Sequence, residues 1–330
     1  MRRAAMLTFI VACSSCMSGF DPSNIVSSVR VLATKIDKSY AAPGDTVTLE
    51  TLAFDGRANS ATATLPLKLV WFPILCTNPA NEAYYNCFSN LGAAGTAIGG
   101  TTTPQDTDLT DLLPSGPTYK VTLPSDIIAK HKPPQSGENY GLAIVFQMAC
   151  AGRVKFVSVD PESLSSQNAP IGCFDESGAR LGADDYVMSF TRIYAFEKRT
   201  NQNPPVEHLV VDDQSAPFGF SINRCNEAKP ENCPFAQIDT HVPDGAQEVR
   251  EGEADSEGKT RKEQVWVTYY TTGGRFDDDA KLLFDVETGR VPRSANKFRA
   301  PSQPGWYRLW AVVHDNRNGI NWLEVPFEVR

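Results

Sequence analysis

The chain has 330 residues, of which 41% are hydrophobic and 21% charged, so it is long enough to bury one large core or two smaller ones. Its formal net charge is −8, with 31 Lys and Arg residues against 39 Asp and Glu residues. The basic residues occur singly or in pairs instead of forming a concentrated basic face, so nucleic acid is excluded as an expected partner.

The first segment has the layout of an export signal. Arg2 and Arg3 precede nine largely apolar residues, AAMLTFIVA, at positions 4–12. A membrane-spanning helix needs about 20 apolar residues, so this run predicts a secretory signal and not a transmembrane segment.

Two cysteines follow the apolar run. Residues 10–13, Ile-Val-Ala-Cys, resemble the bacterial lipobox, in which the cysteine is acylated and the peptide is cut just before it. Cys16 is the alternative lipidation site, because cleavage there gives a longer signal and leaves an even number of other cysteines. A redox Cys-x-x-Cys motif is disfavoured, because such motifs open a helix in a βαβ unit. We expect a lipoprotein signal peptide over residues 1–15, cut before Cys13 or Cys16, and a flexible tether over 16–27.

Beyond the tether, apolar and polar residues alternate in short runs separated by turn residues. The run from Val29 is followed by a Pro43-Gly44-Asp45 turn and a second alternating run, and LKLVWFPIL at 67–75 is the third. This period of two predicts antiparallel strands. Further strand-like runs lie at Tyr119–Leu123, Tyr140–Met148, Val154–Val159 and Tyr186–Phe196, and helical periodicity is confined to DIIAKH at 126–131.

Residues 77–116 interrupt this strand pattern. The segment is rich in Gly, Ala and Thr, which predicts a mobile loop insertion. Tyr84 and Tyr85 lie between Cys76 and Cys87, and Phe88 lies just beyond. Aromatic side chains on a disulfide-closed loop are a candidate contact patch for a protein or glycan partner. The alternative is that the tyrosines fold back over the sheet.

Asn203-Pro204-Pro205 breaks any regular element and predicts a linker at 200–205. Strand-like runs then resume. The economical interpretation is an all-β chain of two Ig-like antiparallel β-sandwich domains in tandem, at 28–199 and 206–330, with long loop insertions in the first. The strand-like runs of the second domain are His208–Val211, Phe218–Ile222, Gln264–Tyr270, Leu282–Phe284, Trp306–His314 and Ile320–Val329.

The remaining cysteines fall into three neighbouring pairs. Local disulfides would close three loops, which an oxidising compartment permits, although six cysteines allow 15 pairings. Zinc is disfavoured because none of the four histidines lies beside a cysteine pair. The disulfide candidates are Cys76, Cys87, Cys150, Cys173, Cys225 and Cys233.

Motifs for catalysis and cofactor binding are missing from the sequence. It contains no G-x-S-x-G elbow, no phosphate-binding loop and no H-E-x-x-H pair, so we expect neither an enzyme nor a bound cofactor. A hydrolase with a dispersed site, built on one of the four histidines, is the alternative. Asp277, Asp279 and Asp315 are weak calcium candidates, because neighbouring acids on an extended chain point in different directions.

Two long stretches carry a family resemblance. VRVLATKIDKSYAAPGDTVTLETLAFD at 29–55, followed by LVWFPILC at 69–76, resembles the first Ig-like module of uncharacterised bacterial surface lipoproteins. VWVTYYTTGGRFDDD at 265–279 and PGWYRLWAVVHDNRNGINWLEVPFEV at 304–329 are similar to the closing strands of PKD-like modules. The match covers most of 28–76 and 205–330.

This resemblance implies a fold, a location and a general role. The expected protein is lipid-anchored in the cell envelope, at the outer membrane or the cell surface, with a structural, adhesive or protein-interaction role. Its membrane contact is the lipid on Cys13 or Cys16. The alternative is a solute- or glycan-binding lipoprotein that uses the 77–116 region.

Overall fold

A computed structural model describes residues 23–57, 66–88, 108–157, 171–254 and 260–330. The predicted signal peptide, both candidate lipidation sites (Cys13 and Cys16) and residues 89–107 of the predicted insertion lie outside these ranges. No helix within the described ranges is long and apolar enough to cross a membrane.

Strands dominate the described residues, and the helical elements are single 3₁₀ turns at Ala80–Glu82, Tyr84–Cys87, Pro230–Asn232 and Asp244–Ala246. In chain order the strands are β1 (Val29–Ile36), β2 (Tyr40–Ala41), β3 (Thr46–Asp55), β4 (Lys68–Thr77), β5 (Thr118–Thr122), β6 (Gly141–Cys150), β7 (Arg153–Phe156), β8 (Ile171–Phe174), β9 (Tyr186–Ala195), β10 (His208–Val211), β11 (Gln214–Ala216), β12 (Phe220–Ile222), β13 (Ala236–His241), β14 (Val249–Ala254), β15 (Thr260–Lys262), β16 (Val265–Thr271), β17 (Arg275–Phe276), β18 (Ala280–Asp285), β19 (Gly289–Arg290), β20 (Asn296–Arg299), β21 (Gly305–Asp315) and β22 (Ile320–Val329).

In the first half of the chain, a sheet of order β1-β3-β5 packs on a sheet of order β2-β9-β6-β4. Apolar residues of both sheets, including Leu49, Trp71 and Val145, share one buried cluster between them. The Gln147 side-chain amide lies in the same space between the two sheets. It donates a hydrogen bond to the Thr34 hydroxyl and accepts one from the Thr51 hydroxyl, both at 2.6 Å. The side chains of Thr34, Thr51 and Gln147 thus satisfy one another inside the core, as a buried amide requires.

Strand β6 is buried on both faces. All ten of its residues, GLAIVFQMAC, are buried, and its even-numbered residues belong to a second apolar cluster on the face away from β3. That face is covered by the 77–88 loop, by the segment around Leu109 and Leu113, and by the β7–β8 hairpin. The disulfides Cys76–Cys87 and Cys150–Cys173 tie this outer layer to β4 and β6.

The second half is a two-sheet sandwich. A sheet of order β11-β10-β13-β20-β17 faces a sheet of order β12-β22-β21-β16-β18-β19. The inner face of β16 follows the period of two, with Val265, Val267 and Tyr269 fully buried. The Tyr269 hydroxyl reaches across the core to the Thr240 hydroxyl at 2.9 Å, which satisfies the one polar atom of that ring.

The two halves meet along an apolar seam. Leu32, Leu52 and Phe54, on the outer face of β1 and β3, pack against Tyr270 and Trp310 on the outer face of the six-stranded sheet. A bulge between Val31 and Ala33 takes Leu32 out of the ladder register. The bulge directs Leu32 towards the seam, whereas Val31 packs with Val29 and Ala149 of the first half.

Residues at both ends of the first half close the seam. Val26 is 2% exposed, its N–H donates to the Thr271 carbonyl at 2.8 Å, and Asn24 donates to the Asp279 carboxylate at 3.0 Å. In the connection, Asn203 accepts from the Ile320 N–H at 2.9 Å and donates to the Ile36 carbonyl at 2.7 Å. The described end of the expected tether, residues 23–27, is therefore packed, because its apolar and amide side chains find partners there.

The all-β class and the sandwich architecture predicted from the sequence are confirmed. In the described sheets, β1–β9 pair only with one another and β10–β22 likewise, whereas the exact domain and linker boundaries stay a prediction. Two departures are clear. The short pairs β2–β9 and β12–β22 are parallel. Residues 126–131 form turns, in which the Lys130 N–H donates to the Asp126 carbonyl and the His131 N–H to the Ile128 carbonyl.

The described ends of the predicted 77–116 insertion are not a mobile loop. Leu109 is fully buried and Leu113 is 5% exposed. The Trp71 N–H donates to the Pro114 carbonyl and its indole N–H to the Gly116 carbonyl, both at 2.8 Å. These segments are ordered because they cover the second face of β6.

Candidate ligand-contact site

The Cys76–Cys87 loop is fixed at both ends. Its disulfide joins Cα atoms 5.7 Å apart across 11 positions of sequence. The Asn78 side chain donates to the Ile127 carbonyl at 2.7 Å and accepts from the Leu142 N–H at 2.9 Å. The disulfide thereby holds the loop to the end of β4, and the Asn78 amide holds it to the start of β6.

Three residues of this loop have left-handed backbone conformations. The φ angles are +49° at Asn78, +54° at Asn81 and +57° at Glu82. This region costs a non-glycine residue about 1 kcal/mol or more, with asparagine the best tolerated after glycine. Such strain persists only where surrounding contacts determine the conformation, and it is concentrated at sites that present side chains to partners.

Glu82 is the centre of a polar and aromatic cluster. Its carboxylate accepts a hydrogen bond from the Tyr140 hydroxyl, and its Oε1 lies 3.9 Å from His131 Nε2. The His131 ring packs on Tyr140 with centroids 4.4 Å apart. This hydrogen bond to Glu82, with partial burial, raises the pKa of the Tyr140 hydroxyl to about 12, because a phenolate beside a carboxylate is disfavoured.

His131 is the less satisfied member of the cluster. Its side chain is 10% exposed, and its Nδ1 is buried without a hydrogen-bond partner among the described residues. The sequence did not single out Glu82, His131 or Tyr140, which are far apart along the chain. The one local signal is the NPANE run at 78–82, whose two asparagines favour left-handed turns.

The three aromatic residues expected as a contact patch have different environments. Phe88 is 2% exposed and belongs to the core that covers β6, so it cannot contact a ligand. Tyr84 is half-buried and stacks on Phe190 with centroids 4.3 Å apart. Tyr85 is 47% exposed. The loop therefore presents Tyr85, with the Glu82 carboxylate, to the exterior.

The six cysteines beyond Cys16 form the three local disulfides that the spacing favours. Besides Cys76–Cys87, these are Cys150–Cys173 and Cys225–Cys233. Both bonds of the first half tie the outer layer to the sheet. The third closes a short turn between β12 and β13, where both cysteines are buried.

The calcium candidates are engaged by protein groups. Asp277 pairs with Arg299, and Asp279 accepts from Asn24. Asp315, 4% exposed, accepts from the backbone N–H groups of Arg317 and Gly319, both at 2.7 Å. Within the described ranges, no three His, Cys, Asp or Glu side chains gather as a metal site.

The histidines contact carboxylates and aromatic rings. His241 lies 3.5 Å from the Glu207 carboxylate and stacks on His208. His314 stacks on Trp266 with centroids 5.2 Å apart, and burial lowers its pKa to about 4. At neutral pH the His314 ring is therefore uncharged, in line with a structural role at the end of β21.

This fold and site define a class: an all-β chain of stacked sheets closed by disulfides. No family model matches the chain, and no curated protein matches it. Solved structures similar to the chain include the fibronectin(III)-like modules of Clostridium thermocellum CbhA, with 10% identity over 90% of this chain and 94% of that chain and a TM-score of 0.21. The C-terminal domain of AspA, an antigen I/II-family protein of Streptococcus pyogenes, has 10% identity over 91% of this chain and 99% of that chain and a TM-score of 0.20. Dimeric latent PorU from Porphyromonas gingivalis has 9% identity over 93% of this chain and 24% of that chain and a TM-score of 0.21. With TM-scores this low, the likenesses carry no argument about fold or function.

Proposed function

We propose that this chain is a lipid-anchored protein of the bacterial cell envelope, at the outer membrane or cell surface, and that its β-sandwich modules have a structural, adhesive or protein-interaction role without enzymatic activity. The observation that carries the proposal is the set of three disulfides that close short loops of an all-β chain. Such bonds persist in oxidising compartments outside the cytoplasm.

The anchor is supported by the sequence of the first 16 residues. A short apolar run ends at Ile-Val-Ala-Cys, so acylation of Cys13, or of Cys16 three residues later, would tie the chain to a membrane. A single acyl chain binds a membrane only marginally, and several acyl chains give stable anchoring.

The interaction role is supported by the Cys76–Cys87 loop. Its backbone is held by a disulfide, by Asn78 and by the Glu82–Tyr140 hydrogen bond, and Tyr85 projects from it. A preorganised aromatic side chain loses little conformational entropy when a partner covers it, so this loop is suited to contact a protein.

The experiment is the intact mass of the protein purified from the membrane fraction of its own bacterium, before and after reduction. We expect a chain that begins at Cys13 or Cys16, carries added acyl mass and gains two hydrogens for each of its three disulfides. An unmodified chain beginning at Met1 with free thiols would refute the envelope proposal.

Single Cys13→Ala and Cys16→Ala variants are matched controls for one another. The variant that loses the acyl mass and moves from the membrane to the soluble fraction identifies the lipidated residue. The other variant should keep both the mass and the location. Retention of the acyl mass by both variants contradicts the assignment of the anchor to this motif.

A further inference from the structure

A second surface, away from the Cys76–Cys87 loop, has the composition of a small-ligand site. Three of the cavities that open between described residues have volumes of about 520, 330 and 320 Å³, and Tyr84 and Tyr85 line none of these three. The cavity of about 320 Å³ lies at the end of the seam, and we call it the seam cleft. It is lined by Phe54, Gly56, Thr272, Trp306, Tyr307, Arg308 and Pro326.

Trp306 is the most informative residue of the seam cleft. It is on β21, opposite Glu328 of β22, and its side chain is 73% exposed. Trp71 and Trp310 are fully buried, as expected for a large ring whose exposure to water is costly. An indole left open beside a concave surface provides a flat apolar platform for a ligand.

Arg308 is the one charged residue among those that line the seam cleft, and its charge is compensated by a neighbouring carboxylate. Arg308 forms an ion pair with Glu324, and its guanidinium carbon lies 5.6 Å from the centroid of the Phe54 ring. The pair places fixed N–H donors beside a carboxylate acceptor without a net charge. An anionic ligand such as a nucleotide would find no uncompensated cation here, so the cleft matches a neutral ligand that carries many hydroxyl groups.

The cleft walls are preorganised by the seam. Phe54 packs on the buried Trp310 with ring centroids 4.7 Å apart, and the Arg308 N–H donates to the Thr272 hydroxyl at 2.9 Å. The walls come from both halves of the chain, and ligand sites are common at such junctions. The volume of about 320 Å³ suits a short stretch of a polymer.

We infer that the seam cleft binds a neutral glycan. The C–H face of a pyranose ring would stack on the Trp306 indole, and its neighbouring hydroxyl groups would donate to Glu324 and accept from Arg308. The inference rests on the interaction role in the proposed function and is independent of the lipid anchor. Failure of the glycan assay below would leave the intact-mass result unchanged.

The test is affinity electrophoresis of the full chain in native gels that contain hydroxyethyl cellulose, mannan or xylan as neutral probes, and alginate as an anionic probe. We expect at least one neutral polysaccharide to retard the protein, with no retardation by alginate. Trp306→Ala should weaken that retardation at least 10-fold, and Trp306→Phe should retain part of it. Phe218→Ala is the matched control, because Phe218 is 91% exposed but does not line the cleft.

A second measurement separates loss of binding from loss of folding. The bound neutral polysaccharide should protect Trp306 from oxidation by N-bromosuccinimide, and the far-UV spectrum of Trp306→Ala should match that of the unmodified protein. Three results would each overturn the inference: no retardation by any neutral probe, retardation by alginate alone, or equal retardation of Trp306→Ala and the unmodified protein.

Discussion

The side-chain amide of Asn201 donates a hydrogen bond of 2.9 Å to the carboxylate of Asp315, and both side chains are buried. Asn201 belongs to the connection between the two halves, and Asp315 ends β21. The other carboxylate oxygen of Asp315 accepts from two backbone N–H groups in the turn that leads into β22. One side chain thus shapes the last hairpin and holds the connection against it.

Replacing Asp315 should therefore destabilise the protein. Asp315→Ala leaves the N–H groups of Arg317 and Gly319 and the Asn201 amide without their acceptor in a buried site, and we expect the free energy of unfolding to fall by about 3 kcal/mol. Urea denaturation measures this change. Asp111→Ala is the control: that side chain is 83% exposed and pairs with Lys68 at the surface, so its loss should cost under about 0.5 kcal/mol. Equal losses would contradict the role of Asp315.

Glu263 predicts a dependence of stability on pH. Burial, and then the nearby Asp315 carboxylate, raise its pKa from 4.5 to about 7, although Arg317 lies 3.0 Å away. Because the pKa is higher in the folded state, this contribution is fully present below about pH 4.5 and is lost as the pH rises through 7. We expect the free energy of unfolding to fall by on the order of 3 kcal/mol over this window.

Glu263→Gln cannot ionise and should remove that fall. The measurement is urea denaturation of both proteins at a series of pH values from 4 to 8. Glu207→Gln, at a side chain that is 52% exposed, is the control that should keep the slope of the unmodified protein. Parallel pH profiles for Glu263→Gln and the unmodified protein would refute the assignment.

The Cys150–Cys173 disulfide should stabilise the outer layer over β6. Its loop spans 23 positions, for which chain entropy predicts a loss of about 3 kcal/mol on removal. In a Cys150→Ala and Cys173→Ala double variant, hydrogen exchange at the β7–β8 amides should accelerate first, because this hairpin is tied to β6 through that bond. The matched double variant at Cys225 and Cys233 should leave exchange in β7–β8 unchanged. Similar protection in both double variants would contradict this prediction.

The seam should couple the two halves in unfolding. Leu32 is 7% exposed against Trp310, so Leu32→Asp places an unpaired charge in an apolar contact. We expect urea unfolding, followed by tryptophan fluorescence, to begin at lower urea and to separate into two steps. Leu112→Asp changes a leucine that is 58% exposed and should leave the transition in place. A single unshifted transition for Leu32→Asp would show that the halves are not coupled through this contact.

Local sequence patterns predicted the strands well, because a strand with one buried face alternates apolar and polar residues with a period of two. β16 is the clearest case, with an alternating burial pattern through all seven residues. The double burial of β6 could not be predicted in this way, because its cover comes from residues 77–88, 108–113 and 171–174, which are distant in sequence. The periodicity of a strand indicates which of its residues are apolar, but it does not indicate which distant segments pack on them.

The candidate site escaped sequence analysis for a similar reason. Glu82 and Tyr140 are 58 positions apart and meet because the 77–88 loop, held by its disulfide and by Asn78, folds over the sheet. Trp306 lies in the alternating pattern of β21, and its position in that alternation places it on the outer face of the sheet. The same phase puts Trp310 against the first half and leaves Trp306 in the open.

The double burial of β6 also has a consequence for aggregation. Its ten residues contain no charge and no proline, and Gln147 is the one polar side chain. In an unfolded chain such a segment is prone to intermolecular β-pairing. The outer layer and its disulfides therefore cover β6 and prevent its self-association. Fragments that retain β6 without residues 77–88 and 171–174 should precipitate.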